Sequence, residues 1–519
     1  MKRRVRPGVE RLDARTLLSG GLDPTFGVGG TVVRDFRDNN MLDIARALAV
    51  QPDGKVLVGA SVVRPDGSTR TDFGIARYLP GGAIDPTFGA NGLATVDFSG
   101  NFDDIRKLLV QPDGRILAFG TAQMPGKGTL QDDLGIARLL PDGRLDTTFG
   151  GGRSPTGKVT VDLSNFDSLN DAGLDSRGRI VLAGSGATYD SKLRSYFHFN
   201  TLVRLNVNGA VDTSFGASGR ALGASGRYSY DRWDALQIGA GDTIAVVGRD
   251  GAVDATARFS ASGVRQFRAA LAAPINPYDP ATRLELGLAS RVAFGPDGRF
   301  VATGAAGREA IGADVFVIRY LANGQRDATF GSDGVVLTAL LGPEGQRTFE
   351  DPAAIAIGPD GRIVVAAQTT VELSTTVPNP SDTLLLRYNP DGSPDDGSAA
   401  DSTPGDRFGT GGRIVASLGP NLKEDVDFVT VLPDGKILTA GNADYGTAID
   451  ANGQRIEDRD VVLARFDGTV LTAAPAPAAA TTMTATATRT AEVFVPPTEA
   501  NGLVVVPSRR PRRAGFVVR

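Results

Sequence analysis

The chain has 519 residues, no cysteine and one histidine, His198. That excludes a disulfide framework, thiolate metal sites and zinc sites built from several histidines, and it leaves a Ser-His-Asp triad one base. The formal net charge of −4 argues against a general nucleic-acid binder. The 66 glycines and 30 prolines suit many short strands joined by turns. No run of about eighteen apolar residues occurs, so no transmembrane segment is expected.

Residues 1–20 open basic but lack the apolar core of a secretory signal, and read as a polar leader. Leu22-Asp23-Pro24-Thr25-Phe26-Gly27 follows, and then a strand over 31–36. The Asp-Pro-Thr-Phe-Gly piece recurs at Asp85–Gly89, Asp146–Gly150, Asp212–Gly216 and Asp327–Gly331, with a shortened copy at Asp406-Arg407-Phe408-Gly409. The copy near Phe267 has lost its Asp and Gly. Phe reads as an apolar plug, and the glycine after it as the tight turn into the next strand.

A second piece is Gln51-Pro52-Asp53-Gly54-Lys55 between two apolar runs. Pro presets φ, Asp bonds its own backbone and Gly accepts φ > 0, so this is a β-hairpin. It returns at Gln111–Arg115, Pro296–Arg299, Pro359–Arg362 and Pro433–Lys436, and in worn form at Asp175–Arg179 and Gly239–Thr243. A third piece is an arginine-centred strand, Asp72–Leu79 around Arg77, with partners at Arg138, Arg204, Arg258, Arg319, Arg387 and Arg465. Apolar neighbours make these strands buried on both faces. Each unit thus holds four strands, in the first unit 44–50, 55–61, 73–79 and 93–98. The Phe landmarks recur mostly at about 52 to 66 residues, within reach of propeller-type repeats.

The chain opens with a Phe-Gly piece and a lone strand, and its last unit lacks both. The expectation is an all-β fold, a seven-bladed β-propeller of four-stranded blades over 21–470. The N-terminal strand would join the C-terminal blade and close the ring, which limits exposed sheet edges. The trio of pieces resembles the delta-60 repeat of bacterial surface and secreted proteins, over about residues 22–468. That resemblance implies a β-propeller-like array and no one activity. Leu12-Asp13-Ala14-Arg15-Thr16-Leu17-Leu18 resembles a Leu-Glu-Pro-Arg-x-Leu-Leu motif of planctomycete-type surface proteins, departing from it at Asp13 and Ala14. Residues 471–519 read as an Ala/Pro/Thr-rich linker with a basic, disordered tail ending in Arg509, Arg510, Arg512 and Arg513, which could associate with an anionic envelope.

The buried arginines need acidic partners. Structural ion pairs are expected between Arg77, Arg138, Arg204, Arg319, Arg387 and Arg465 and the aspartates of the Phe-Gly piece, Asp23, Asp85, Asp146, Asp212, Asp327 and Asp406. Arg258 has no such Asp after it. An acid also recurs eleven positions before the hairpin Gly, as Asp43, Asp103, Asp167, Glu350 and Glu424. These acids are expected to gather at one rim, where they could hold calcium. No other cofactor and no catalytic residue is expected. His198 among aromatics reads as a packed strand residue, and Trp233 is the only tryptophan. Ligand contacts are expected at the irregular segments 124–130, 188–197, 227–233, 273–283 and 377–382. The expected function is a non-catalytic, extracellular or cell-surface scaffold binding a protein or glycan. The alternative is a cation-assisted lyase or hydrolase using rim carboxylates.

Overall fold

The computed structural model describes residues 21–34, 44–64, 70–126, 130–152, 154–164, 166–190, 192, 194–225, 231–250, 253–271, 291–307, 313–338, 348–371, 381–403, 406–417, 423–449 and 455–468. The described residues all fall within one compact unit of the chain. The calls on the leader, on residues 471–519 and on 273–283 lie outside the described residues. Among the described residues the protein is all-β, with a single 3-10 turn at Ala240–Asp242.

The strands pair antiparallel in sets of four. After β1 (Thr31–Arg34), the first set is β2 (Ile44–Val50), β3 (Val56–Val63), β4 (Thr71–Tyr78) and β5 (Leu93–Val96). The second is β6 (Asp103–Val110), β7 (Ile116–Pro125), β8 (Leu130–Leu139) and β9 (Lys158–Val161). The third is β10 (Phe166–Leu174), β11 (Ile180–Asp190), β12 (Ser195–Leu205) and β13 (Arg220–Ser225). The fourth is β14 (Arg232–Ile238), β15 (Ile244–Asp250), β16 (Val253–Phe259) and β17 (Arg265–Ala270). The fifth is β18 (Val292–Phe294), β19 (Phe300–Gly307), β20 (Ala313–Tyr320) and β21 (Val335–Thr338). The sixth is β22 (Thr348–Ile357), β23 (Ile363–Val371), β24 (Ser381–Tyr388) and β25 (Arg413–Ala416). The final strands, β26 (Lys423–Val431), β27 (Ile437–Ile449) and β28 (Arg455–Phe466), take β1 as their fourth member. Thr31 lies opposite Ala464 and Arg34 opposite Val461.

The hairpin between β2 and β3 shows why the Pro-Asp-Gly signal works. The Gln51 and Gly54 amides bond the Lys55 and Gln51 carbonyls at 2.8 and 2.9 Å. Asp53 Oδ1 accepts the Lys55 amide at 3.2 Å, and Gly54 takes φ +79°. The first strand of most sets carries a register shift at one place, as at Ala45/Ala47, Ile105/Lys107, Leu169/Asp171 and Val426/Phe428. A bulge there bends the strand and sharpens its twist.

The apolar core lies between neighbouring sets. Phe88 packs with Leu57 and Ile75 of the first set and Ile116 and Leu139 of the second. Phe149 does the same for the second and third sets, packing with Leu117, Ile136, Leu182 and Val203. Leu438, Ala440, Val461 and Leu463 of the final strands share a cluster with Phe26, Val58 and Ala60. Every described Phe of the Phe-Gly pieces is at most 1% exposed, so each is a plug between two sheets.

The glycine after each plug is needed for its backbone. Gly89 has φ +53°, and a Cβ there would lie 2.3 Å from the Leu93 carbonyl oxygen. Its amide bonds the Asp142 carbonyl of the next unit at 2.7 Å. We expect Gly89→Ala to cost more than about 2 kcal/mol by denaturant unfolding. Gly152→Ala, at φ +72° with nothing within 4 Å, should cost only about 1 kcal/mol. Equal effects would contradict this reading.

Candidate functional site: a repeated arginine clamp and buried acids

The arginine strand and the Phe-Gly piece meet in one recurring constellation. Arg77 Nε donates to Asp85 Oδ2 at 2.9 Å, Arg138 to Asp146 at 2.8 Å, and Arg204 to Asp212 at 2.8 Å. Arg319 donates to Asp327 at 2.9 Å, and Arg465 to Asp23 at 2.8 Å. The Nη2 groups of Arg77, Arg138, Arg319 and Arg465 donate to Thr87, Thr148, Thr329 and Thr25. The same hydroxyls donate to the aspartates' Oδ1 atoms. Each of these guanidiniums also lies 4.5–4.7 Å from the centroid of the plug Phe ring.

The Nη1 groups cross to the next unit. Arg138 donates to the Val207 carbonyl at 2.6 Å, Arg465 to Pro80 at 2.6 Å, and Arg77 to Pro141. The hairpin cation supplies a second charge to the same carboxylate. Lys55 lies 3.4 Å from Asp85, Arg115 3.0 Å from Asp146 and Lys436 2.6 Å from Asp23. So one aspartate ties together the hairpin, the arginine strand and the plug, while the arginine reaches the neighbouring unit. Burial alone would raise Asp85, but the Thr87 side chain and amide, then Arg77 and Lys55, hold it down at about 2. The balance likewise holds Asp23, Asp146, Asp212 and Asp327 below the usual range.

The sixth set corrects one expected pair. Arg387 Nε donates to Asp395 Oδ2 at 2.6 Å, not to Asp406, which pairs with Arg362. In the Arg77, Arg138, Arg204 and Arg319 clamps the Asp follows the Arg by eight residues, and 395 keeps that spacing. Residues 396–407 intervene between this Asp and its plug, Phe408, which still lies 4.5 Å from the Arg387 guanidinium. Gly397 stands where the others carry Thr or Ser. Accordingly, Arg387 Nη2 and Asp395 Oδ1, the two atoms a Thr would bridge, are buried with no hydrogen bond among the described residues. Burial pushes Asp395 up, despite Arg387 and Arg362. Arg258 is half-buried, with Nη2 beside the next unit's hairpin glycine, Gly298.

Of the recurring acids, Asp43 lies outside the described residues. Asp103, Asp167, Glu350 and Glu424 are each at most 3% exposed. Asp103 Oδ2 accepts the Phe98 amide at 2.9 Å, and Asp167 accepts the Leu163 amide and the Ser164 hydroxyl. Glu350 accepts from Thr369, and Glu424 from Thr383, both at 3.3 Å. Burial, opposed by the Phe98 amide and reinforced by Asp97 and Asp72, pushes Asp103 up to about 7. Burial chiefly pushes Asp167 up to about 7 and raises Glu350. Among the described residues no two of these acids fall in the same close carboxylate group. Asp103 meets Asp72 and Asp97, and Asp167 meets Asp133 and Asp162, each set with one oxygen apiece within 4.8 Å. The first strand of a unit starts beside the third strand of the preceding one, which carries Asp72 for Asp103 and Asp133 for Asp167.

His198 sits in β12 opposite Ala187. Trp233 is fully buried, edge-on to Phe259. No helix among the described residues is long and apolar enough to cross a membrane.

Five segments, 51–88, 111–149, 178–215, 295–330 and 358–397, match the family model described as a domain of unknown function (DUF5122) beta-propeller. Each segment runs from a hairpin turn (178–215 from within it) through the arginine strand to the paired aspartate. No curated protein matches the sequence. Similar solved structures include a glucose dehydrogenase at 16% identity and TM-score 0.35, covering 65% of this chain and 96% of that one. The α-L-arabinofuranosidase Arb93A of Fusarium graminearum is 11% identical at TM-score 0.35, covering 86% and 98%. Drosophila Semaphorin 2a is 9% identical at TM-score 0.43, covering 84% and 75%. Likenesses this distant carry no argument about activity.

Thr148→Ala should cost about 1–3 kcal/mol, because it strands Arg138 Nη2 and Asp146 Oδ1. Thr148→Ser should cost clearly less, since Ser214 fills that place in the third unit and bonds Asp212 at 2.6 Å. The clamp carboxylates other than Asp395 are held below their unfolded values, so their stabilisation is complete above about pH 4 and lost as pH falls toward about 2. The melting temperature should drop across that window, with a shallower slope in Asp85→Asn. A flat profile would contradict the clamp. The chain is an all-β protein that carries β-propeller repeats.

Proposed function

We propose that the chain is a non-catalytic, extracellular or cell-surface scaffold, a seven-bladed propeller closed by β1, that binds glycan through its third blade. The closure rests on the pairing of β1 with β28 and on the Arg465–Asp23 clamp, whose members are 442 residues apart in sequence. The recurring charged groups are engaged in holding units together, which suits a framework more than a reaction centre.

The observation that carries the binding reading is an exposed aromatic group on the third unit. Here β11 and β12 run to 11 residues each, against 8 in β3 and β4. The longer hairpin carries Tyr189 opposite Tyr196, within the segment 188–197 singled out by the sequence. Phe166, Tyr189 and Tyr196 are 46%, 48% and 43% exposed. Their ring centroids lie 5.7 Å (Phe166–Tyr196) and 5.1 Å (Tyr189–Tyr196) apart. Exposed apolar groups that touch one another mark interaction sites. Three half-exposed rings fall well short of the roughly 800 Å² per partner of a standard protein interface. They match one or two sugar rings, whose C–H faces stack on aromatics while hydroxyls meet the tyrosine O–H groups.

One observation favours the alternative, a cation-assisted lyase or hydrolase: Asp103 and Asp167 stand near 7, a value suited to acid–base work. Both are buried, out of reach of a polymer.

A printed glycan array tests the proposal. The wild-type chain should bind a restricted set of glycans, and Tyr189→Ala/Tyr196→Ala should weaken that binding at least about tenfold at unchanged melting temperature. A blank array, or equal binding by the variant, overturns it. Release of new reducing ends from a bound glycan would replace the scaffold with the enzyme.

A further inference from the structure

We propose that Asp72, Asp97 and Asp103 form a calcium site at the junction of the first and second units, repeated one unit on by Asp133, Asp162 and Asp167. The three acids of each set come from equivalent places. Asp72 and Asp133 lie five residues before the clamp arginines Arg77 and Arg138. Asp97 and Asp162 directly follow the fourth strands, β5 and β9. Asp103 and Asp167 lie at the start of the next unit's first strand, at the first residue of β6 and the second of β10. The fold thus brings together three carboxylates that are remote in sequence, with one oxygen from each within 4.8 Å of the others. That spacing lets one hard cation touch all three at calcium–oxygen distances, with water and backbone oxygens completing the shell.

A second observation separates this group from an ordinary acidic cluster. Asp103 is fully buried, and its Oδ1 takes no hydrogen bond among the described residues, while Oδ2 is held by the Phe98 amide. A buried carboxylate oxygen without a donor is costly unless an ion serves it.

The surrounding charges set the expected strength. Arg64 lies 3.6 Å from Asp72 and 3.2 Å from Asp97, and Lys158 Nζ donates to the Asp97 carbonyl at 2.5 Å. At the second site, Arg220 donates to the Asp162 carbonyl and Gln131 to Asp133 at 3.1 Å. No salt bridge to Asp133, Asp162 or Asp167 occurs among the described residues. Arg64 therefore opposes a cation at the first site only, and the second should bind more tightly.

Calorimetric titration of the chelator-stripped full chain with calcium chloride tests this. At least two equivalents should bind, with dissociation constants between roughly micromolar and millimolar, and calcium should raise the melting temperature. Asp167→Asn should remove the tighter equivalent and Asp103→Asn the weaker. Arg64→Gln should tighten the weaker site, an effect a merely structural cluster would not show. Asp97→Asn, at a less buried position, checks the first site should Asp103→Asn not fold. No heat and no thermal shift at about ten millimolar calcium, or unchanged stoichiometry in the Asp103→Asn/Asp167→Asn variant, overturns the proposal. Equal affinity for magnesium overturns the calcium assignment.

Discussion

A buried guanidinium has five N–H donors and cannot shed its charge, so the chain around it must supply acceptors from several directions. That demand organises this protein. At Arg138 the acceptors are an aspartate, a threonine and a carbonyl of the following unit, with a phenylalanine ring below. Remove one partner and a buried charge is left uncompensated, which costs far more than the intact pair contributes. The clamp's value is therefore specification. It fixes which aspartate meets which strand, where the plug sits and how one sheet approaches the next.

Because the Nη1 group is satisfied across the boundary, a unit is complete only with a neighbour. The chain's ends obey the same rule. Arg465 takes its aspartate, threonine and ring from residues 23–26 and its carbonyl from Pro80. Arg387 in turn uses the carbonyl of Gly468, just beyond the last strand. The sixth unit shows how much the device tolerates. Its insertion parts the aspartate from the plug, yet Asp395 and Phe408 both return to Arg387. What is lost is the bridging hydroxyl, and two buried polar atoms stand without a bond as a result.

Much of this was legible in the residues. The Pro-Asp-Gly turns, the Phe-Gly pieces and the arginine register each have a local physical cause, and they locate hairpins, plugs and third strands to within a residue or two. In the first unit the expected strands at 44–50, 55–61, 73–79 and 93–98 fall at Ile44–Val50, Val56–Val63, Thr71–Tyr78 and Leu93–Val96. Asp395 is hidden by the insertion, which leaves Asp406 beside Phe408 in the shortened copy, while the eight-residue spacing from Arg387 points to Asp395. Asp72 and Asp97 were missed for another reason. Their meeting with Asp103 depends on how one sheet abuts the next, and no local pattern encodes that. Nor could the bulges at Ala45/Ala47 and Ile105/Lys107 be read from apolar alternation, since a bulge slips the register of residues that all look β-forming.

β1 completes the last unit by pairing with β28, and a covalent link tests this pairing most directly. Val33 lies opposite Val462, and the chain has no cysteine of its own. In the Val33→Cys/Val462→Cys variant, mild oxidation should close an intramolecular disulfide, seen as a faster monomer on a non-reducing gel and a raised melting temperature. Free thiols after oxidation, or disulfide-linked dimers alone, would contradict the account.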